Sequence, residues 1–124
     1  MNILEFKFLL AESAYAPKEV LEMLSKDKDS YVRISVTKNK NVTKEILELL
    51  AKDKNYSVRS FVAKNLNAPK EILKILAKDE DYLVRESVAK NPKTSKKILE
   101  ILAKDENYWV RESVAKSVAE TLKI

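Results

Sequence analysis

The sequence predicts an all-α fold, an α-solenoid of helix–turn–helix repeats, on two observations. A 26-residue unit occurs four times without a gap, and each unit holds two amphipathic segments. The copies are 16–41 (APKEVLEMLSKDKDSYVRISVTKNKN), 42–67 (VTKEILELLAKDKNYSVRSFVAKNLN), 68–93 (APKEILKILAKDEDYLVRESVAKNPK) and 94–119 (TSKKILEILAKDENYWVRESVAKSVA). A period of this length marks a stacked-repeat architecture, in which no unit can bury its apolar face alone.

Taken in chain order, residues 6–15 align with the second half of a unit, and residues 1–15 read as an N-terminal half-repeat cap. Phe6 falls at the place of Val32, Lys7 at that of Arg33 and Leu10 at that of Val36. The first helix of each unit is exemplified by Lys70 to Lys78, with Ile72, Leu73, Ile75, Leu76 and Ala77 as its apolar face. Pro17 and Pro69 suit a first helical turn, and Thr43 and Ser95 at the same place suit a cap. The second helices follow Asp29, Asn55, Asp81 and Asn107, all good N-caps. They end near Asn39, Asn65 and Asn91, where asparagine is expected to supply the left-handed residue that glycine usually provides. In the last unit SVAETLKI replaces that break. Val110, Val114, Val118 and Leu122 keep i, i+4 spacing, so one helix should run to about residue 123 and the single domain to residue 124. Both ends read as caps shielding the terminal apolar faces.

Helices of about ten residues are unstable alone in water, so stacking must supply burial. The first helices offer Val20, Leu21 and Leu24, Ile46, Leu47 and Leu50, Ile72, Leu73 and Leu76, and Ile98, Leu99 and Leu102. The second offer the valine pairs 32/36, 58/62, 84/88 and 110/114, and Ala51, Ala63, Ala77 and Ala89 allow close approach. Each such large side chain, fully buried, contributes about 1.5–3 kcal/mol.

Composition narrows the chemistry. Cysteine and histidine are absent, which removes disulfides, thiolate sites, the commonest transition-metal ligand and the usual general base. The lack of glycine argues against a phosphate-cradling loop. No catalytic residue, metal site or cofactor is expected. The net charge is +5, with 35% charged residues of both signs interspersed, the mark of a solvated surface. The N-terminal MNILEFKFLLAESAYA mimics a signal peptide, but Glu5 and Lys7 interrupt its apolar run and no basic segment precedes it. No apolar run is long enough for a membrane span, so no membrane partner and a cytoplasmic location are expected.

The string Asn-x-Asn-x-Pro/Thr-x-Glu-Ile-Leu, then Leu-Ala-x-Asp-x-Asp/Asn, then Val-Arg-x-x-Val-Ala resembles the leucine-rich repeat variant family, over about residues 6 to 119. Its second half, with Arg six residues after Asp, also resembles HEAT repeats. The resemblance implies a right-handed superhelix in which one helix of a pair, here the second, is short or 3₁₀. It transfers a binding mode but no substrate. The unit departs from the family in being slightly longer, with Tyr or Ser where a second Pro often occurs.

Asp27, Asp53, Asp79 and Asp105 precede Arg33, Arg59, Arg85 and Arg111 by six residues. Recurring once per unit, they read as a structural ladder, each guanidinium bonding a carboxylate of its own or the adjacent unit. Tyr31, Tyr56, Tyr82 and Tyr108 open the second helices and are expected to pack between units with their hydroxyls at the surface. Lys26, Lys52, Lys78 and Lys104 end the first helices, where they suit the helix dipole and pairing with Glu22, Glu48 and Glu100.

Specificity is expected where the repeat varies. One face of the second helices carries Tyr31, Ile34 and Lys38; Ser57, Ser60 and Lys64; Leu83, Glu86 and Lys90; and Trp109, Glu112 and Lys116. This stripe of constant lysines with exposed-looking Ile, Leu and Trp points to a non-enzymatic scaffold that binds a protein or peptide, although Trp109 itself is expected to tuck against the terminal helix. The alternative is sequence-independent nucleic-acid binding, with Lys38, Lys64, Lys90 and Lys116 tracking phosphates.

Overall fold

A computed structural model describes residues 1–122 of the chain, and these residues form nine α-helices and no strand. The helices are α1 (Ile3–Glu12), α2 (Lys18–Leu24), α3 (Ser30–Lys38), α4 (Lys44–Leu50), α5 (Tyr56–Lys64), α6 (Lys70–Leu76), α7 (Tyr82–Lys90), α8 (Lys96–Leu102) and α9 (Tyr108–Thr121). They alternate as the repeat demands, with α1 in the place of a second helix. The first helix of each unit is the shorter, at seven residues, and the second is regular α-helix of nine or more. This reverses the expectation of a short or 3₁₀ second helix. The first helix closes early because the backbone tightens at its end: Lys52 N–H turns back to the Leu49 carbonyl at 3.1 Å and Asp53 N–H to that of Leu50 at 3.1 Å. Lys26, Lys52, Lys78 and Lys104 therefore lie beyond the helices they were expected to end.

Pro17 and Pro69 occupy the N-cap rather than the first turn, at φ −67° and −60°, with no side-chain cap. Thr43 and Ser95 stand at the same place, and their hydroxyls each accept an N–H, from Ile46 and Ile98, at 3.2 Å. The second helices begin with tandem Asx turns. Asp27 Oδ2 accepts from Asp29 N–H at 3.0 Å, and Asp29 Oδ1 from Tyr31 N–H at 2.8 Å. Asp79 and Asp81 repeat the pattern toward Asp81 and Leu83, and Asp105 and Asn107 toward Asn107 and Trp109. The Asp-x-Asp/Asn motif is thus a two-step staircase that turns the chain into the second helix.

The asparagines that close the second helices do something other than expected. Asn39 and Asn91 have φ −70° and −72°, and no described residue has positive φ. Their side chains are buried instead and bind backward. Asn39 Nδ2 donates to the Ala11 and Ser13 carbonyls, both at 2.8 Å, while its Oδ1 accepts from Asn41 N–H at 2.8 Å. Asn91 Nδ2 donates likewise to Ala63 and Asn65, at 2.7 and 3.0 Å. Each carboxamide satisfies carbonyls left open where the preceding second helix ends. Among the described residues no buried side-chain nitrogen or oxygen lacks a partner.

The chain divides into two compact units, Met1–Val62 and Ala63–Ile124, the division falling within α5. In the first, α1 packs on α2 and α3, α2 on α3, and α3 on α4. In the second, α7 packs on α6, α8 and α9, and α8 also on α9. Most of the predicted core is buried, including Leu21, Ile46, Leu47, Leu50, Leu73, Leu76, Leu102 and the valine pairs 32/36, 58/62, 84/88 and 110/114, whereas Val20 and Leu99 are half-buried. The apolar face assigned to the first helices is narrower than expected. Ile75 and its equivalents Met23, Leu49 and Ile101 are exposed, because a helix buried along one stripe cannot bury every apolar position of a seven-residue segment. The last helix ends at Thr121 with Leu122 as its cap, and the expected continuation through residues 123 and 124 lies outside the described residues.

Candidate binding surface

The Asp–Arg ladder is a framework for the surface helices. Arg33 grips Asp53 through two parallel hydrogen bonds, Nε to Oδ2 at 2.8 Å and Nη2 to Oδ1 at 3.1 Å. Arg85 grips Asp105 in the same way, at 2.8 and 3.2 Å. Each guanidinium also donates from Nη1, at 2.7 Å, to the carbonyl of the Asp six residues before it. Arg33 and Arg85 therefore each bond their own repeat through a backbone carbonyl and the following repeat through a carboxylate. Lys7, in the half-repeat, takes the Arg place and reaches Asp27 at 2.7 Å. Its hydrogen bond, aided by the Asp29 N–H and the charges of Lys7 and Lys28, holds the Asp27 carboxyl below its ordinary value against the opposing effect of burial. Burial also pushes the Asp105 carboxyl up, but the Arg85 hydrogen bond, the Asn107 N–H and the charges of Arg85 and Arg111 outweigh it, and the net shift is downward. Arg85 is correspondingly raised, chiefly by its hydrogen bond to Asp105.

Arg33 and Asp53 satisfy one another, and with Asp27 they also line an open cleft of about 480 Å³. Among the described residues no group of three or more carboxylates is placed to hold a metal ion. No described helix is long and apolar enough to cross a membrane.

The variable stripe divides by burial. In α3 and α5, Tyr31, Lys38 and Lys64 are exposed and Ser57 is half-buried, while Ile34, expected to be exposed, is only 8% exposed, and Ser60 is buried with it. The i, i+3 step that carries Ile34 falls beside the valine pair, so that position turns inward on a helix packed along one broad face. The Lys38 ammonium lies 4.7 Å from the centre of the Phe61 ring, a cation–π contact the sequence reading did not include. Phe61 stands where other units have Ser35, Ser87 or Ser113, and that substitution was the signal for it.

In α7 and α9 the stripe stays accessible. Leu83 and Glu86 are half-buried, and Lys90, Trp109, Glu112 and Lys116 are exposed. Glu86 lies 3.6 Å from Lys90 one turn on, and the Ser113 hydroxyl donates to it at 3.5 Å. Because α7 and α9 pack together, and Ser117 Oγ donates to the Ala89 carbonyl at 2.7 Å, the two halves of this surface are fixed to each other. Trp109, expected to be tucked in, stands 57% exposed, against the edge of Tyr108, with ring centres 5.1 Å apart and planes at 77°.

The chain matches no known family model, no curated protein and no solved structure. The surface must be understood from its own chemistry. Tyr31, Tyr56, Tyr82 and Tyr108, expected to pack between repeats, are all exposed; Tyr56, Tyr82 and Tyr108 open their helices, whereas Tyr31 is the second residue of α3. The lysines after the first helices are exposed too, and Glu22 pairs with Lys18 at 3.8 Å, one turn earlier, instead of with Lys26.

Proposed function

We propose that the protein is a non-enzymatic helical-repeat scaffold, of the leucine-rich repeat variant or HEAT-like kind, that binds a protein or peptide along its second helices. Leu83, Glu86, Lys90, Trp109, Glu112 and Lys116 form the centre of the contact. The observation that carries this reading is Trp109, a large aromatic ring left in solvent on a helix whose backbone is fixed by neighbouring contacts. Exposed Trp flanked by charge is the composition of an interface hot spot with a polar rim. A rigid frame with variable surface residues also limits the ordering cost of binding.

The nucleic-acid reading draws less support. Of its four lysines, Lys38 is engaged by Phe61 and Lys90 lies beside Glu86, and Glu112 adds a second carboxylate to the same face. A partner captured with the unaltered chain should be lost with Trp109→Ala plus Leu83→Ala. Retention of the partner by that double variant would overturn the stripe assignment. Retardation of DNA or RNA at low salt, abolished by Lys90→Ala plus Lys116→Ala, would overturn the protein-binding reading in favour of the other.

A further inference from the structure

Between the turn that precedes α3 and the turn that precedes α5 lies the open cleft of about 480 Å³, formed wholly by residues 25–54 of the first compact unit. Its inner wall is Leu50 and the Arg33–Asp53 pair, whose side chains are less than a tenth exposed. Its rim is basic: Lys26, Lys28, Lys52 and Lys54 line it, and all are exposed. Each carboxylate of the cleft already has a cation, Asp53 holding Arg33 and Asp27 holding Lys7 at 2.7 Å. Among the described residues none of the four lysines makes a salt bridge. A rim of one uncompensated sign over a low-dielectric wall concentrates the opposite charge from solution.

The charge is particular to this pair of repeats. Lys26 and Lys52 recur as Lys78 and Lys104, but Lys28 and Lys54 give way to Glu80 and Glu106 at the same place in the later repeats. The ladder needs neither sign there, since Arg85 holds Asp105 as Arg33 holds Asp53. Lys28 and Lys54 are therefore not required by the fold.

We propose that this cleft binds an acidic peptide segment of a partner protein, its carboxylates over Lys28, Lys52 and Lys54 and an apolar side chain against Leu49. The donors favour carboxylates over phosphate. The one guanidinium fork is filled by Asp53, and the turn N–H groups of Asp29 and Asn55 are taken by Asp27 and Asp53 at 3.0 and 2.9 Å. What remains is a set of point charges on flexible stems, without the fork or backbone cradle that suits phosphate. Leu49, 45% exposed, lines the same cleft and offers an apolar anchor. Glu22 and Glu45 line a smaller hollow of about 180 Å³ that shares Lys26 and Leu49 with the cleft, and their charge bounds the basic field on that side. No residue of the cleft belongs to the stripe of the second helices, so this site is separate from the contact proposed there.

The test is fluorescence anisotropy of the whole 124-residue chain with a short labelled peptide of Glu and Asp around one central Leu. At about 0.05 M salt the Kd should lie below about 100 µM, and it should rise at least about ten-fold by about 0.3 M. Lys28→Glu plus Lys54→Glu, the residues that the later repeats carry, should weaken binding at least about ten-fold with helix content by circular dichroism unchanged. Lys44→Glu plus Lys70→Glu makes the same change in net charge at exposed residues outside the cleft, and should leave the affinity within about two-fold. Leu49→Ala should weaken the Leu-containing peptide and not one of Glu and Asp alone. No binding at about 1 mM chain overturns the proposal. Equal weakening by both lysine pairs overturns it too, because net charge alone would then be responsible. Tighter binding of a phosphoserine peptide or of single-stranded RNA, lost with Lys28→Glu plus Lys54→Glu, overturns the choice of carboxylate. Leu83 and Trp109 are untouched by these changes, so failure here is distinguishable from failure of the stripe assignment.

Discussion

Arg33 and Asp53 lie twenty residues apart and meet through two hydrogen bonds of 2.8 and 3.1 Å, both side chains less than a tenth exposed. The same guanidinium holds the Asp27 carbonyl, so one side chain ties the turn before its own helix to the turn before the next second helix. Planar fork geometry makes this a fixed joint.

Removal of one partner leaves a nearly buried charge unpaired. Arg33→Ala should destabilise the first unit by about 3–5 kcal/mol, whereas removing both charges with apolar residues of similar volume should cost much less. Arg111→Ala is the internal control. That residue is exposed and donates only to the Asp105 carbonyl, so its loss should cost no more than about 1 kcal/mol. Urea unfolding followed by circular dichroism separates the two cases.

Acid should weaken the joints on a definite schedule. The Asp27 and Asp105 carboxyls titrate below their ordinary value of 3.8 in the folded chain. As pH falls, the unfolded chain takes up protons at those sites first. The stability these pairs add is therefore full above about pH 5 and is lost progressively as pH falls through the lowered folded values. Lys7→Met should cut the Asp27 share, since it removes the principal hydrogen bond and leaves only the Asp29 N–H and the charge of Lys28 to lower that carboxyl. The check is the thermal midpoint of both proteins between about pH 6 and pH 2, where the difference between them should shrink with acid.

Asn39 offers a substitution whose sign separates two accounts of the residue. If it were a left-handed helix terminator, Asn39→Gly would be neutral or stabilising. Its backbone is extended, at φ −70° and ψ 129°, and its buried carboxamide satisfies two carbonyls and one N–H. Asn39→Gly should therefore destabilise by about 2–4 kcal/mol, the cost of leaving those groups without partners. Denaturant midpoints of Asn39→Gly and Asn39→Ala should fall together.

The left-handed expectation failed for a physical reason. Sequence shows that asparagine closes the unit but not whether its backbone or its side chain does the closing. In the absence of glycine the two are equally economical, and only the position of the preceding helix end decides. Local periodicity, by contrast, was legible. The valine pairs occupy the core as their spacing requires, and so do the Ile-Leu pairs 46/47 and 72/73, while Val20 and Leu99 of the first and last repeats are half-buried. The Asp–Arg period was legible as a ladder, although its choice between own-unit and next-unit carboxylates needed coordinates. The surface stripe was the least legible part. Ile34 and Glu86 sit at analogous steps of their helices, one buried and the other half-buried, since burial depends on what the neighbouring helix brings, and Phe61 beside Lys38 appears in one repeat alone.

Asp105 carries two duties that a pair of substitutions can separate. Its Oδ1 accepts the Asn107 N–H at 2.9 Å, setting the turn into α9, and both of its oxygens receive Arg85. Asp105→Asn keeps one oxygen for the turn, but it removes the charge and replaces the oxygen that accepts from Arg85 Nε by an amide donor, so the Arg85 grip is weakened while the turn is kept. Asp105→Ala removes both. The first should cost about 1–3 kcal/mol, as for a hydrogen bond to a charged group, and the second about 3–5 kcal/mol, as for a broken buried pair. In the Ala variant α9 also loses a support at its start, so amide exchange should accelerate at Trp109 and Val110, whose N–H groups rest on Asn107 Oδ1 at 2.8 and 3.3 Å. In Asp105→Asn those amides should exchange nearly as in the parent. Equal acceleration in both variants would mean that the charge, and not the turn, orients the helix that displays Trp109.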